Sequence, residues 1–149
     1  MSFDLEDLNP AARFYWPESK VIDPDTGAVS YDEWVDLRIA SDDDVRNFRK
    51  KLGIKEIIEH KVNPETRALN RVIGSNFDEK KSVGFADEIT DFCIVDWNLI
   101  GKNGEAIPCT RANKLKLANG SPVFARWLET SLNSLRERIK EQAEAELKN

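Results

Sequence analysis

Residues 13–39, RFYWPESKVIDPDTGAVSYDEWVDLRI, decide how the first half of the chain is interpreted, because they predict two β-strands joined by a turn. The first strand is expected at 14–16. Residues 23–27 have turn chemistry, since proline fixes φ and glycine accepts a positive φ. The second strand is expected over 31–39, where the side chains alternate between two faces. One face carries Tyr31, Glu33, Val35, Leu37 and Ile39, and the other carries Trp34 and Asp36.

A short helix and a second hairpin are predicted after the first hairpin. Ser41 is a favourable N-cap, and the three aspartates that follow it complement the positive end of a helix dipole. Gly53 is expected to end this helix. Two β-rich runs at 54–62 and 69–75 flank turn residues and predict the second hairpin. Apolar residues then repeat at three- and four-residue steps over 77–95, which predicts a longer helix.

The stretch 94–111, IVDWNLIGKNGEAIPCTR, holds a lysine between glycines, as a phosphate-binding loop would. A Walker A loop requires glycine, four residues and then Gly-Lys-Ser/Thr before a helix. Here Asp96 stands at the position of the first glycine, and Asn103 replaces the hydroxyl residue. Pro108 also opposes an immediate helix interior. The pair Asn103-Gly104 predicts a tight turn instead, so the stretch indicates a chain reversal that returns Ile107 to the core.

Two further helices are predicted in the remainder of the chain. Thr110 caps a short helix over 111–118, which Asn119 and Gly120 end. A last helix begins at Pro122, because proline is favoured at the first helical position. Its apolar face thins to a stripe, which suggests a helix that docks at its start and projects into solvent at its end. The face consists of Val123, Phe124, Trp127, Leu128, Leu132, Leu135 and Ile139.

These elements together predict an α+β fold. N-terminal β-hairpins form a small antiparallel sheet, and a mainly α-helical C-terminal half follows. The 149 residues are expected to form a single domain over 1–149. Residues 1–75 are its strand-rich half with one short helix, residues 76–140 are its helical half, and residues 141–149 are a charged, solvated tail.

The composition limits the classes of partner. The formal net charge is −5, whereas nucleic-acid binding needs a basic surface, so no nucleic-acid partner is expected. No apolar run is long enough to span a bilayer, and the acidic N-terminus MSFDLEDLNP lacks the pattern of a secretion signal. Cys93 and Cys109 lie among apolar residues and are expected to be reduced thiols. We therefore expect a cytoplasmic protein without a membrane partner.

No catalytic, cofactor-binding or metal-binding residues are predicted, and the expectation is that the protein is not an enzyme. His60 is the single histidine, so a two-histidine metal motif is excluded. A zinc site from His60, Cys93 and Cys109 would lack a fourth ligand and the usual spacing. The triplet at 25–27 resembles that of aspartic proteases, but Asp23-Pro24 before it is turn chemistry. The aspartates at 42–44 are explained by the start of a helix.

Aromatic and apolar side chains are the remaining candidates for function. Trp16 and Trp34 flank the first hairpin, where an exposed aromatic face would mark a protein contact. For Trp97 and Trp127 a core position is favoured. The stripe on the last helix can receive a client helix or form a homo-oligomer, and core packing of the whole stripe is the alternative. The predicted partner-binding residues are Trp16, Trp34, Trp127, Leu132, Leu135 and Ile139.

The stretch 92–135, FCIVDWNLIGKNGEAIPCTRANKLKLANGSPVFARWLETSLNSL, resembles the tail assembly chaperones of long-tailed bacteriophages and their prophage relatives. The N-terminal hairpin with WVDLRIASDDDVRNFRKK at 34–51 is similar as well, so the resemblance covers most of the chain. Its motifs are diffuse and none marks a chemical function. The matching positions are Asp96, Trp97, Gly104, Ile107, Pro108, Thr110, Asn113, Lys114, Leu115 and residues 122–128.

The resemblance implies a non-enzymatic assembly factor that acts in the host cytoplasm. Such chaperones coat the unassembled tape measure protein and recruit tail tube subunits, and they are absent from the finished particle. Many also exist in a longer, frameshifted form, whose extension would attach after Lys140 here. The alternative is a structural tail or connector component that is retained in the virion. Tail tube subunits need long strands, which this largely helical chain does not predict.

Overall fold

The computed structural model describes residues 8–147, except for the side chains of residues 57–59, 70, 72 and 73. Small antiparallel sheets lie mainly in the N-terminal half and helices in the C-terminal half, which confirms the predicted α+β class. In chain order the elements are β1 (Ala12–Tyr15), a 3-10 turn (Pro17–Ser19), β2 (Lys20–Ile22), β3 (Val29–Tyr31), β4 (Trp34–Leu37), α1 (Asp42–Lys51), β5 (Glu56–Val62), β6 (Leu69–Ser75), α2 (Glu79–Cys93), β7 (Ile94–Trp97), α3 (Arg111–Gly120) and α4 (Pro122–Leu147).

The chain divides into two compact units. The first unit contains the chain up to Ile39 and from Thr90 onward, and the second contains Ala40–Ile89. That the whole chain behaves as a single domain remains a prediction.

The first unit is built on a three-stranded antiparallel sheet with the strand order β1-β4-β7. Val35 and Leu37 of β4 are fully buried, whereas Trp34 and Asp36 are half-buried, as the alternation in the sequence predicted. On β7, Ile94 and Trp97 join this core. The first half of α4 closes the core with its apolar face. The buried side chains of α4 are Phe124, Leu128, Ser131, Leu132 and Leu135.

The predicted N-terminal hairpin is two ladders and not one. β1 pairs with β4. The shorter strands β2 and β3, which lie between β1 and β4 in the sequence, pair with each other in a separate sheet. The turn at 23–27 is confirmed: the backbone N–H of Asp25 donates to the Asp23 carboxylate at 2.8 Å, and Gly27 has φ +72°. The 3-10 turn after β1 redirects the chain and separates the two ladders.

The predicted helix over 77–95 is wrong at its end. α2 ends at Cys93, and Ile94 begins β7. Ile94 pairs with Leu37, and Trp97 pairs with Val35. The spacing of the apolar residues in 94–97 is compatible with a helix and with a strand. These residues form a strand because they pair with the buried strand β4.

The second unit combines α1, the hairpin β5–β6 and the part of α2 up to Ile89. Ser41 caps α1 in a capping box, because its hydroxyl accepts from the Asp44 N–H and the Asp44 carboxylate accepts from the Ser41 N–H. Gly53, at φ +67°, ends the helix as predicted. The strands β5 and β6 pair in register from Glu56↔Ser75 to Val62↔Leu69, which confirms the second hairpin.

The glycine-flanked lysine lies in a turn of the first unit, as predicted. Gly104 has φ +78°, and its N–H donates to the Gly101 carbonyl at 2.9 Å. Ile100 and Ala106 form an isolated antiparallel bridge across the turn. The indole N–H of Trp97 donates to the Ile107 carbonyl at 2.7 Å, which ties the returning segment to the sheet. None of the described helices has the length and apolar character needed to cross a bilayer.

Candidate partner-binding surface

The long helix α4 is the element that places most of the predicted partner-binding residues. It starts where the hydroxyl of Ser121 accepts from the Phe124 N–H at 3.2 Å, with Pro122 at its first position. Side chains on its inner face are buried as far as Leu135, and residues 136–147 are all exposed. We call residues 136–147 the overhang. The helix therefore has a packed part and a solvated part that share one apolar stripe.

Two of the predicted tryptophans come together near the start of α4. The rings of Trp16 and Trp127 meet edge to face with their centroids 5.1 Å apart. Both rings also contact Phe124, each at a centroid distance of 5.8 Å. Such pairs add roughly 0.5–1.5 kcal/mol beyond area burial. Trp16 and Trp127 are half-buried in this cluster and hold the start of α4 to the sheet.

Trp34 lies apart from this cluster. The guanidinium carbon of Arg13 stands 3.6 Å above its ring, and the same guanidinium pairs with Asp36 at 2.9 Å. The ring is half-buried beneath the arginine. This stacked pair on neighbouring strands gives Trp34 an intramolecular partner, and its role in binding another protein stays a prediction.

The three aliphatic candidates on α4 differ in accessibility. Leu132 and Leu135 are 9% and 7% exposed, respectively, so in this structure their side chains belong to the core of the first unit. Ile139 is 44% exposed. The stripe is thus covered up to Leu135 and open from Ile139 onward. A direct contact of Leu132 or Leu135 with a partner stays a prediction that this packing does not favour.

The open part of the stripe continues to the last described residue. Ile139, Ala143 and Leu147 follow one another at four-residue steps and lie on one side of the overhang. Leu147 is 88% exposed. The stripe therefore offers apolar side chains to solvent in line with the buried ones.

A shallow groove beside α4 adds a second feature. It has a volume of about 230 Å³, and Leu128 and Leu132 form part of its wall. Glu129 and Arg136 stand at the same groove and supply one charge of each sign. The other lining residues are Thr90, Ala118, Asn119 and Ala125.

The structure also reveals an exposed apolar face that the sequence analysis missed. Ile22 and Val29 are opposite each other in the β2–β3 ladder, and both are more than half exposed. Tyr31 lies on the same face, and the centroid of its ring is 6.0 Å from that of the Tyr15 ring. The alternation within 20–22 and 29–31 was a signal for this face, but the prediction of one continuous strand over 31–39 concealed it.

The shifted titratable groups do not gather at one place. Burial raises the pKa of the Cys109 thiol. Backbone N–H groups of Asp25 and Thr26 lower the pKa of Asp23, and the backbone N–H of Lys81 lowers that of Asp78. The two aspartates serve a turn and a helix start. Among the described residues, no three side chains of the His, Cys, Asp and Glu types stand together as metal ligands would.

Comparisons with known proteins do not add a relative. No family model matches the chain, no curated protein matches its sequence, and no solved structure matches its fold.

Proposed function

We propose that this protein is a non-enzymatic phage tail assembly chaperone that acts in the host cytoplasm. In this proposal it binds a helical segment of the unassembled tape measure protein and helps to recruit tail tube subunits. The observation that carries the proposal is the continuation of the α4 stripe. The stripe is covered at Leu135 and uncovered at Ile139 and Leu147.

The energetics of the overhang support a binding role. The overhang continues a packed helix, but its own three turns are solvated and gain no support from tertiary packing, so their helical structure is marginal. Fully burying an exposed Ile or Leu side chain contributes about 1.5–3 kcal/mol; Leu147 can gain most of this, and Ile139, which is 44% exposed, roughly half. A client helix that packs against Ile139 and Leu147 would supply this contribution. It would also order the end of α4.

The adjacent groove supports the choice of an amphipathic helix as the client. The groove has room for one apolar side chain of such a helix, beside the few atoms of Leu128 and Leu132 that remain exposed. Glu129 and Arg136 lie on the same side of α4 and can pair with charges that flank the anchor. A long helical protein with exposed apolar stripes, such as a tape measure protein, has this chemistry.

Co-expression with the tape measure protein encoded by the same phage or prophage tests the proposal. The chain carries an affinity tag, and captured protein is quantified after washing. We expect specific capture by the wild-type chain and loss of capture when Ile139 and Leu147 are both replaced by Asp. These positions are exposed, so the variant should stay folded by circular dichroism.

Ala145→Asp is the matched control. Position 145 lies about 120° from Ile139 around the helix axis and about 160° from Leu147, so it adds charge to the overhang outside the stripe. Capture should survive in this control. Equal capture by wild type and the Ile139/Leu147 variant would reject the proposed site. No capture, together with rings or tubes of this chain and its presence in purified particles, would support the structural alternative.

A further inference from the structure

The second unit holds a basic cleft that the proposed function does not use. The cleft has a volume of about 730 Å³ and lies where the end of α1 meets the paired ends of β5 and β6. Among the residues whose side chains the structure describes, four cationic side chains line it, together with a single carboxylate, that of Glu56. The cations are Arg46, Arg49, Lys50 and Lys55.

Three of these four cations have no ion-pair partner within the described part of the chain, and the fourth has one weak pair. Arg46, Arg49 and Lys50 are at i, i+3 and i+4, so they project from one face of α1. Arg46 pairs with Asp43 at 2.9 Å, but this pair is largely exposed. Among the described residues, Arg49, Lys50 and Lys55 make no ion pair. Arg49 and Lys50 lie in the last turn of α1, where positive charges complement the negative end of the helix dipole. This effect does not explain Arg46 or Lys55. The concave arrangement with Arg46 and Lys55 concentrates positive potential on a chain whose net charge is −5.

The overhang of α4 carries the complementary feature. Glu137, Glu141 and Glu144 are at i, i+4 and i+7, on the side away from the apolar stripe. All three are exposed, and within the described chain none of them makes an ion pair. Lys140 and Arg138 flank this acidic face, and the Arg138 guanidinium lies over the Phe14 ring at 4.9 Å. The acidic face spans about 10 Å along the helix axis, which suits a cleft of this size.

We infer that the acidic face of the overhang in one copy docks into the basic cleft of a second copy. Each side then neutralises unpaired like charges of the other, and arginine in the cleft can bind carboxylates with two parallel hydrogen bonds. The contact joins two different surfaces, so it is heterologous and builds a ring or an open chain of copies. The inference goes beyond the proposed function and does not require a client.

A second copy fits the observations better than a nucleic acid does. The four cations of the cleft can contact only a few phosphates of a nucleic-acid backbone. The rest of the chain is acidic and repels a long polyanion. A short acidic helix, in contrast, can pair its carboxylates with the cations of the cleft without touching the rest of the chain. The charge pattern also predicts that high salt weakens the contact, because the screening length falls from about 10 Å at 0.1 M to about 3 Å at 1 M.

Sedimentation velocity of the purified full chain alone tests the inference. Wild type should associate reversibly at low salt and become monomeric at high salt. Arg49→Glu with Lys50→Glu, or Glu137→Lys with Glu141→Lys, should each weaken association at least about tenfold. Mixing these two variants should restore it, because the reversed cleft of one then meets the reversed overhang of the other.

Arg67→Glu with Lys80→Glu is the matched control. It makes the same charge change in the second unit, but neither residue lines the cleft, so association should persist. A monomeric wild type at low salt would overturn the inference, as would a mixture that fails to associate although both variants remain folded. Binding of a labelled single-stranded oligonucleotide that depends on Arg49 and Lys50, in a chain that stays monomeric, would assign the cleft to nucleic acid instead.

Discussion

At the scale of single residues, Trp97 connects three parts of the first unit. Its backbone pairs with Val35 in the sheet, and its indole N–H donates to the Ile107 carbonyl at 2.7 Å. Its ring and that of Phe124 of α4 meet edge to face, with their centroids 6.4 Å apart. The strand, the returning turn and the last helix are therefore coupled through one side chain.

Replacing Trp97 by phenylalanine should lower the free energy of unfolding by about 1–3 kcal/mol, because the Ile107 carbonyl loses its donor in a partly buried site. Urea unfolding followed by circular dichroism measures this change. Trp34→Phe is the matched control, since the Trp34 ring is half-buried under Arg13 and its indole makes no hydrogen bond within the described chain. Equal losses in both variants would show that the Trp97–Ile107 bond adds little.

The turn at Gly104 gives a second test at this scale. Gly104 has φ +78° and open space where a Cβ would stand, so strain and not collision decides the outcome. Gly104→Val should cost about 1–2 kcal/mol, because a β-branched residue is disfavoured at positive φ. Gly104→Asn should cost less, since asparagine tolerates this region. Thermal unfolding of the two variants measures the difference, and equal losses would contradict a strained turn.

At the scale of elements, the sequence predicted those elements that local chemistry defines. Ser41 and Gly53 mark the two ends of α1, and Gly104 marks the turn after β7. These positions are predictable because helix caps and positive φ angles require particular residue types. β7 could not be predicted in this way. Its four residues continue the apolar spacing of α2 and become a strand through pairing with β4. Local periodicity does not contain that information.

The candidate site was predictable only in part for the same reason. The sequence placed Ile139 on a thinning stripe, and the structure exposes it. It could not show that Leu135, one turn earlier, is covered, because burial depends on tertiary packing and not on the local spacing of apolar residues. The exposed face of β2 and β3 also depends on the 3-10 turn at Pro17–Ser19, whose effect on strand pairing is not local.

Hydrogen exchange along α4 should follow this division. Amides at 124–135 should exchange at least about tenfold more slowly than those at 139–147, because buried side chains hold the first part and solvent surrounds the second. Mass spectrometry of peptides from the free chain measures the step. A client or a second copy should increase protection in the overhang. Uniform protection along the whole helix of a monomeric chain would contradict a marginal overhang.

At the scale of the whole molecule, the overhang is proposed to serve two partners on two faces. Its apolar side, with Ile139 and Leu147, is assigned to a client helix, and its acidic side is assigned to the cleft of another copy. Head-to-tail copies would then present a row of apolar stripes to one long client. Linked sites of this kind raise the overall affinity without any new contact type.

Ending the chain after Arg138 should therefore remove both associations and leave the fold intact. The described residues beyond Arg138 are all exposed, so the free energy of unfolding should stay within about 1 kcal/mol of that of the full chain. Arg138 itself is retained because it lies over Phe14. Unfolding, sedimentation and client capture are measured on the same sample. A truncated chain that still captures the client would place the binding surface elsewhere, with the β2–β3 face as the next candidate. One that loses its fold would show that the overhang stabilises the protein itself, and the point variants on its two faces would then have to separate the two associations.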